Sequence, residues 1–188
     1  TRGAEGRQDA IFVGGFLHRP NVDAALYLCK DIWPAVRRLD PAISVHIIGA
    51  DAPEEILQLH NPAQGIHVVG RVPTLDKYYD TARINLAPLT FGAGVKGKVA
   101  ASLSVGLPTV GTSVATDGMW LTHEKDVLVA DTPEDFAKNV VKLHQNDKLW
   151  EKLSLNGIET ARRHFSVETA RTRLKDLLGD LGLKPPAH

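Results

Sequence analysis

The sequence predicts a doubly wound α/β fold, a parallel sheet buried on both faces, with a helical C-terminal end. Short and nearly all-apolar runs such as Ala10 to Val13, Ile66 to Val69 and Ile84 to Leu89 alternate with helical patterns. Strands apolar on both faces are those that helices cover on both sides. Five of these runs lead into glycine-bearing loops, at Gly14, Gly49, Gly70, Gly92 and Gly111, more glycine than turns alone require. From Thr132 onward the pattern is helical only. The chain's 188 residues allow one compact domain with a proper core and are too few for two large ones.

The elements follow in order. Ala10 to Gly15 reads as the first strand, and Asn21 to Leu39 as a helix with Ala25, Leu28, Ile32, Val36 and Leu39 on one face, kinked or broken at Pro34. Ser44 to Gly49 is a strand, Pro53 to Leu59 a short helix, Ile66 to Gly70 a strand, Thr74 to Thr81 a helix and Ile84 to Leu89 a fourth strand. A helix over about Lys98 to Val105 precedes strands at Thr109 to Gly111 and Val127 to Ala130. Thr132-Pro133-Glu134-Asp135 opens a helix with proline and acids in its first turn. Two more helices run near Lys148 to Arg163 and Val167 to Leu181, the latter opened by Ser166 with Thr169 at the partner position. Residues 1–9 read as a disordered or linker segment, 10–182 as a Rossmann-like domain and 183–188 as a solvated tail.

Composition narrows the function classes. Formal net charge is zero, so no basic field draws nucleic acid to the chain, and none is expected as a partner. Cys29 is the sole cysteine, which excludes an intrachain disulfide and a cysteine-based zinc cluster and fits a reducing, cytoplasmic setting. No apolar run approaches the roughly 20 residues that span a bilayer. The histidines show no metal-ligand spacing, His46 reads as a structural residue of a buried strand, and Trp120 either lines a ligand pocket or, the favoured reading, caps the core.

The chemistry concentrates between Asn85 and Gly111. An apolar strand, the loop Gly92-Ala93-Gly94-Val95-Lys96-Gly97-Lys98, a small-residue helix and the strand Leu107 to Gly111 make one βαβ-sized unit. Glycines let backbone N–H groups approach a phosphate, the helix turns its positive end to it, and two lysines add full charges. The spacing from Gly92 to Gly97-Lys98 also fits a nucleoside-triphosphatase P-loop, but Val99 stands where that loop needs a magnesium-binding hydroxyl. The unit reads as a grip for a phosphorylated small molecule, above all a nucleotide.

Together with Gly106-Leu107-Pro108-Thr109-Val110-Gly111-Thr112-Ser113, this loop resembles the donor-nucleotide site in the C-terminal domain of retaining GT-B glycosyltransferases, the family called GT4 or glycosyl transferases group 1. Further matching segments are Ile11 to Phe16 leading into Pro20-Asn21-Val22-Asp23, Ile66 to Val72, Ala115 to Met119 and Asp126 to Asp131, so the resemblance covers about Ala10 to Leu178. It implies a hexosyltransferase-type enzyme that moves a sugar from a nucleotide diphosphate sugar to an acceptor hydroxyl without a metal or other cofactor. The chain would be the donor-binding half, inactive alone. An N-terminal domain would receive the acceptor glycan, lipid or small molecule, with peripheral membrane association of the full-length protein.

The same resemblance implies roles. Gly14 and Gly15 would face the cleft between domains, with Arg19 beyond them; Arg71 and Val72, after Gly70, would hold the base through main-chain groups. Gly94 and Val95 would offer N–H groups to the diphosphate, and Lys96 and Lys98 would neutralise it. The departures are as specific. Two glutamates of the family fall at Ala93 and Ala101, leaving no certain catalytic residue, and an arginine and lysine that hold the diphosphate fall at Gly15 and Pro20. The competing expectation is a degenerate, non-catalytic transferase domain serving as a scaffold or binding module.

Overall fold

The computed structural model describes residues 3–181. Six strands form one parallel sheet: β1 (Gln8–Val13), β2 (Val45–Ile48), β3 (Ile66–Gly70), β4 (Ala82–Ala87), β5 (Thr109–Gly111) and β6 (Leu128–Val129), in the order β3-β2-β1-β4-β5-β6. This is the doubly wound Rossmann-type order, in which strand succession reverses between β1 and β4 and leaves a crevice outside their carboxyl ends.

The registers show why the strands are so apolar. Ala10, Ile11, Phe12 and Val13 of β1 stand opposite Val45, His46, Ile47 and Ile48 of β2, while Ala10 and Ile11 also meet Ile84 and Asn85 of β4. Every residue of β4 is buried. One apolar layer holds Phe12, Trp33, Phe136 and Trp150; the opposite layer is smaller and is built on Ile11, Ile48, Ala82 and Leu107. Pro88 ends β4 two residues before the expected limit, because it has no N–H for the ladder.

Nine α-helices are described: α1 (Arg19–Tyr27), α2 (Trp33–Leu39), α3 (Glu54–Leu57), α4 (Asp76–Thr81), α5 (Gly97–Ser104), α6 (Ser113–Thr116), α7 (Pro133–Gln145), α8 (Asp147–Phe165) and α9 (Val167–Asp180). The helix expected over Asn21 to Leu39 is divided by a π-helical turn, Leu28–Ile32. Pro34 sits in the first turn of α2. Its ring would collide with the Lys30 carbonyl in a continuous α-helix, and the wider turn relieves that collision. The short α6 was not legible in the sequence. Thr112 Oγ1 caps it by accepting from the Ala115 N–H at 3.2 Å. Ser166 caps α9 as expected, its Oγ accepting from the Thr169 N–H at 3.1 Å.

Residues 3–9 depart from the expected linker. Ala4 and Arg7 are buried and Gln8 already belongs to β1. The cause is Arg7: its guanidinium donates to the Gly3 carbonyl at 3.1 Å and to the Tyr79 and Ala82 carbonyls at 2.6 and 2.9 Å, and lies 5.2 Å from the Trp150 ring centroid. A second arginine, Arg83, reaches the Ala4 carbonyl and the Asp147 carboxylate, stapling the same segment to α8. The expected tail at 183–188 lies outside the described residues.

Candidate functional site

A cleft of about 610 Å³ opens outside the carboxyl ends of β1 and β4, at the crevice where the strand order reverses. Gly14, Gly15, Val95, Lys96 and Lys98 all line it, and so do Ala93 and Ala101. One wall is apolar, made by Val13, Leu75, Tyr79 and Leu89; the other is the glycine-lysine loop.

The loop needs glycine at two points, since Gly92 and Gly94 have φ of 127° and 77°, values that side chains disfavour. This backbone turns the chain from β4 into α5, whose N-cap is Lys96. The Val99 and Ala100 N–H groups already bond the Lys96 carbonyl at 2.9 and 3.1 Å. The first N–H groups of a helix have no partner within it, and here they are those of Gly97 and Lys98, two cleft residues. The free N–H groups therefore fall just after the expected Gly94 and Val95; Val95 lines the cleft and Gly94 does not.

Both lysines are held by neutral oxygens. Lys96, buried, donates from Nζ to the Asp117 carbonyl at 3.3 Å. Lys98 donates to Asn21 Oδ1 at 2.6 Å and stands 4.5 Å from the Phe12 ring centroid. Among the described residues neither ammonium forms an ion pair. Burial pulls the Lys98 pKa down from 10.5 to about 8, because little water remains to solvate its charge.

Other expected residues lie elsewhere. Arg19 is outside the lining, and its exposed guanidinium pairs with Asp23 at 2.6 Å and Glu55 at 3.3 Å. Arg71 is exposed. Val72 is partly buried against the smaller core layer of Ile11, Ile48, Ala82 and Leu107 and does not line the cleft. The two strand-end glycines differ: a Cβ on Gly14 would lie 2.9 Å from Asn21 Cγ, whereas one on Gly15 would meet nothing within 4 Å. Gly14 makes room for Asn21, a cleft residue that the sequence marks as a helix start and as part of the matching Pro20 to Asp23 segment, with no role of its own. A Pro-Asn pair beginning a helix after a Gly-Gly strand end was the available signal.

Trp120 is corrected outright. It is 55% exposed, with φ of 53°, stacked on His164 at 4.9 Å between centroids and covered by Arg173 at 5.0 Å. Stacking against α8 and α9, not core burial, holds it in a backbone region unfavourable for a bulky side chain. His46 is half-buried rather than enclosed, 3.4 Å from Asp9 and stacked on His67 at 5.0 Å. The Cys29 thiol is buried and pushed up to about 12, far from reactive. No helix among the described residues is long and apolar enough to cross a membrane.

The fold and cleft define a Rossmann-like α/β domain with a glycine-lysine loop at the carboxyl edge of its sheet. The chain belongs to the family described as glycosyl transferases group 1, which it matches over residues 7–146. It is similar to an uncharacterized 44.6 kDa protein in the cps region of Klebsiella pneumoniae, 22% identical over 165 residues, covering 84% of this chain and 42% of that protein. The fold is that of a variant of TarM from S. aureus in complex with fondaparinux, α-GlcNAc-glycerol and UDP, with a TM-score of 0.77 at 14% identity over 94% of this chain and 37% of that one. It is also that of the C-terminal domain of a glycosyl transferase group 1 family protein, LpcC, from Francisella tularensis, with a TM-score of 0.64 at 13% identity over 86% of this chain and 88% of that one. The chain thus spans less than half the length of the Klebsiella relative and of TarM.

Proposed function

We propose that this chain is the donor-binding half of a retaining, hexosyltransferase-type glycosyltransferase of the GT4 kind. It would take a sugar from a nucleotide diphosphate sugar and pass it to an acceptor hydroxyl, in the cytoplasm, without a metal. The observation that carries this reading is the convergence of Lys96, Lys98 and the α5 N-terminus on one cleft outside β1 and β4. As the glycosidic bond breaks, negative charge grows on the leaving diphosphate, and cations and N–H dipoles already in place lower the barrier most when they face that charge. The apolar wall of Val13, Leu75 and Tyr79 offers the base a surface on which to lie. UDP in the TarM complex favours a uridine nucleotide. Acceptor binding, whether of a glycan, lipid or small molecule, and any peripheral membrane contact would fall to an N-terminal domain.

The test is a calorimetric or NMR titration with UDP, GDP, ADP and their common sugar conjugates, with Lys98→Ala as control. Saturable binding of one nucleotide, weakened by the variant, is the expected result. Absence of binding at millimolar concentration in the folded chain rejects a working donor site, and sugar transfer by this chain alone contradicts its assignment as a half-enzyme.

A second reading, the non-catalytic scaffold, is favoured by one observation: Ala93 and Ala101 line the cleft and bring no carboxylate to it. Ala101 also borders a second hollow of about 370 Å³ beside α8, so a longer side chain has room there. Ala101→Glu separates the two readings. Tighter nucleotide binding, by about tenfold for one charged hydrogen bond, marks an intact pocket lacking one ligand; unchanged affinity marks a site that has lost its purpose.

A further inference from the structure

We propose that Asn21 is the positioning residue of the donor site: its carboxamide aims the Lys98 ammonium into the cleft while leaving that ammonium's charge uncompensated for the diphosphate. The proposal rests on the donor-site reading above.

Asn21 lies in the first turn of α1 and lines the cleft itself. Its Nδ2 donates to the Gly15 carbonyl at 2.8 Å, which turns Oδ1 toward Lys98 Nζ, 2.6 Å away. The opposite amide orientation would set an NH2 group against an ammonium and an oxygen against a carbonyl, so the two contacts fix each other. Gly14 completes the seat, since any Cβ there would press on Asn21 Cγ at 2.9 Å. The Phe12 ring centroid lies 4.5 Å from the same ammonium. Three separated parts of the chain thus build one holder for one cation.

The choice of an amide has a chemical consequence. A carboxylate at position 21 would hold the lysine more strongly, but would cancel its charge and repel a diphosphate. It would also place an oxygen against the Gly15 carbonyl, having no N–H to give. A neutral acceptor keeps the lysine oriented and still positive toward the cleft. The lowered Lys98 pKa, caused by burial, agrees with a cation that has no charged partner among the described residues.

Asn21→Asp and Asn21→Ala test this in the chain as it stands. Affinity for UDP, GDP and ADP is measured by calorimetry, folding by unfolding midpoint, and Lys98 titration by NMR of labelled lysine side chains, assigned with Lys98→Arg. Asn21→Asp is expected to weaken the preferred diphosphate by about tenfold or more, to do more harm than Asn21→Ala, and to raise the pH at which Lys98 titrates. A purely structural asparagine predicts the reverse order, because aspartate is the near-isostere. Affinity of Asn21→Asp within twofold of wild type, or an unmoved Lys98 titration, overturns the proposal alone. Failure of the wild-type chain to bind any of the three diphosphates overturns the donor reading and this proposal with it.

Discussion

The buried cations at the two edges of the sheet are treated in opposite ways. At the amino edge, Arg7 and Arg83 are clamped by the Gly3, Ala4, Tyr79 and Ala82 carbonyls and the Asp147 carboxylate, against the face of Trp150. At the carboxyl edge, Lys96 and Lys98 each have one neutral oxygen acceptor, and a glycine loop leaves the space in front of them open. Guanidinium forks suit permanent multidentate anchorage, whereas a lysine is a point charge whose desolvation persists until a ligand relieves it. The amino edge keeps the fold closed; the carboxyl edge leaves two cations without a counter-ion among the described residues, which on the proposed reading serves an anionic ligand.

Removing the anchor of the amino edge should have the largest effect. Trp150 is almost fully buried and its Nε1 donates to the Arg83 carbonyl at 2.7 Å. Trp150→Ala is expected to cost about 3–5 kcal/mol in denaturant unfolding, with the chain still able to bind nucleotide under conditions where it stays folded. An effect confined to nucleotide affinity would erase the distinction between the edges.

At the carboxyl edge the expected sign is opposite. Lys98 has a folded pKa of about 8 against 10.5 in its ordinary state, so between these values the unfolded chain binds the extra proton. The destabilisation that burying the charge causes is complete below pH 8 and is relieved as pH rises toward 10.5. Lys98→Met should therefore stabilise the chain near pH 7 by up to about 3 kcal/mol, an advantage that shrinks through that window, while nucleotide binding is lost. For the wild type, diphosphate binding should weaken as pH rises through about 8 and take up protons there, as calorimetry in buffers of different ionisation heat would reveal. A variant that loses stability equally at all pH values would make Lys98 a structural residue like the arginines.

Smaller effects sharpen the boundary. Arg7→Met leaves the Tyr79 and Ala82 carbonyls without these donors and should cost about 1–3 kcal/mol, with nucleotide affinity unchanged. Ser166→Ala removes the α9 cap and should cost about 1 kcal/mol, read as earlier hydrogen exchange in α9 alone. Helix α9 has no fully buried residue, and Leu174 and Leu177 along it and Leu181 at its C-cap are exposed, so its loosening should not reach the cleft.

Much of this was legible because the signals are local. Apolar runs marked six strands to within a few residues, Thr132 with Pro133 and Ser166 with Thr169 marked helix starts, and glycines beside Lys96 and Lys98 marked the anion loop. What escaped was set by partners distant in the chain. Trp120 reads as a core residue until His164 and Arg173 are brought over its ring. Residues 3–9 read as a linker until Arg7 meets Tyr79 and Ala82, more than seventy residues away.

By itself, then, the sequence determined the fold class, the order of its elements and the glycine-lysine chemistry of one loop, since periodicity, capping and glycine conformation act over a few neighbouring residues. Only the tertiary structure decided which cations are clamped into the fold and which line the cleft. Asn21 and Lys98 are 77 residues apart, and the reversal of strand order between β1 and β4 is what brings an amide from one half of the domain to a lysine from the other.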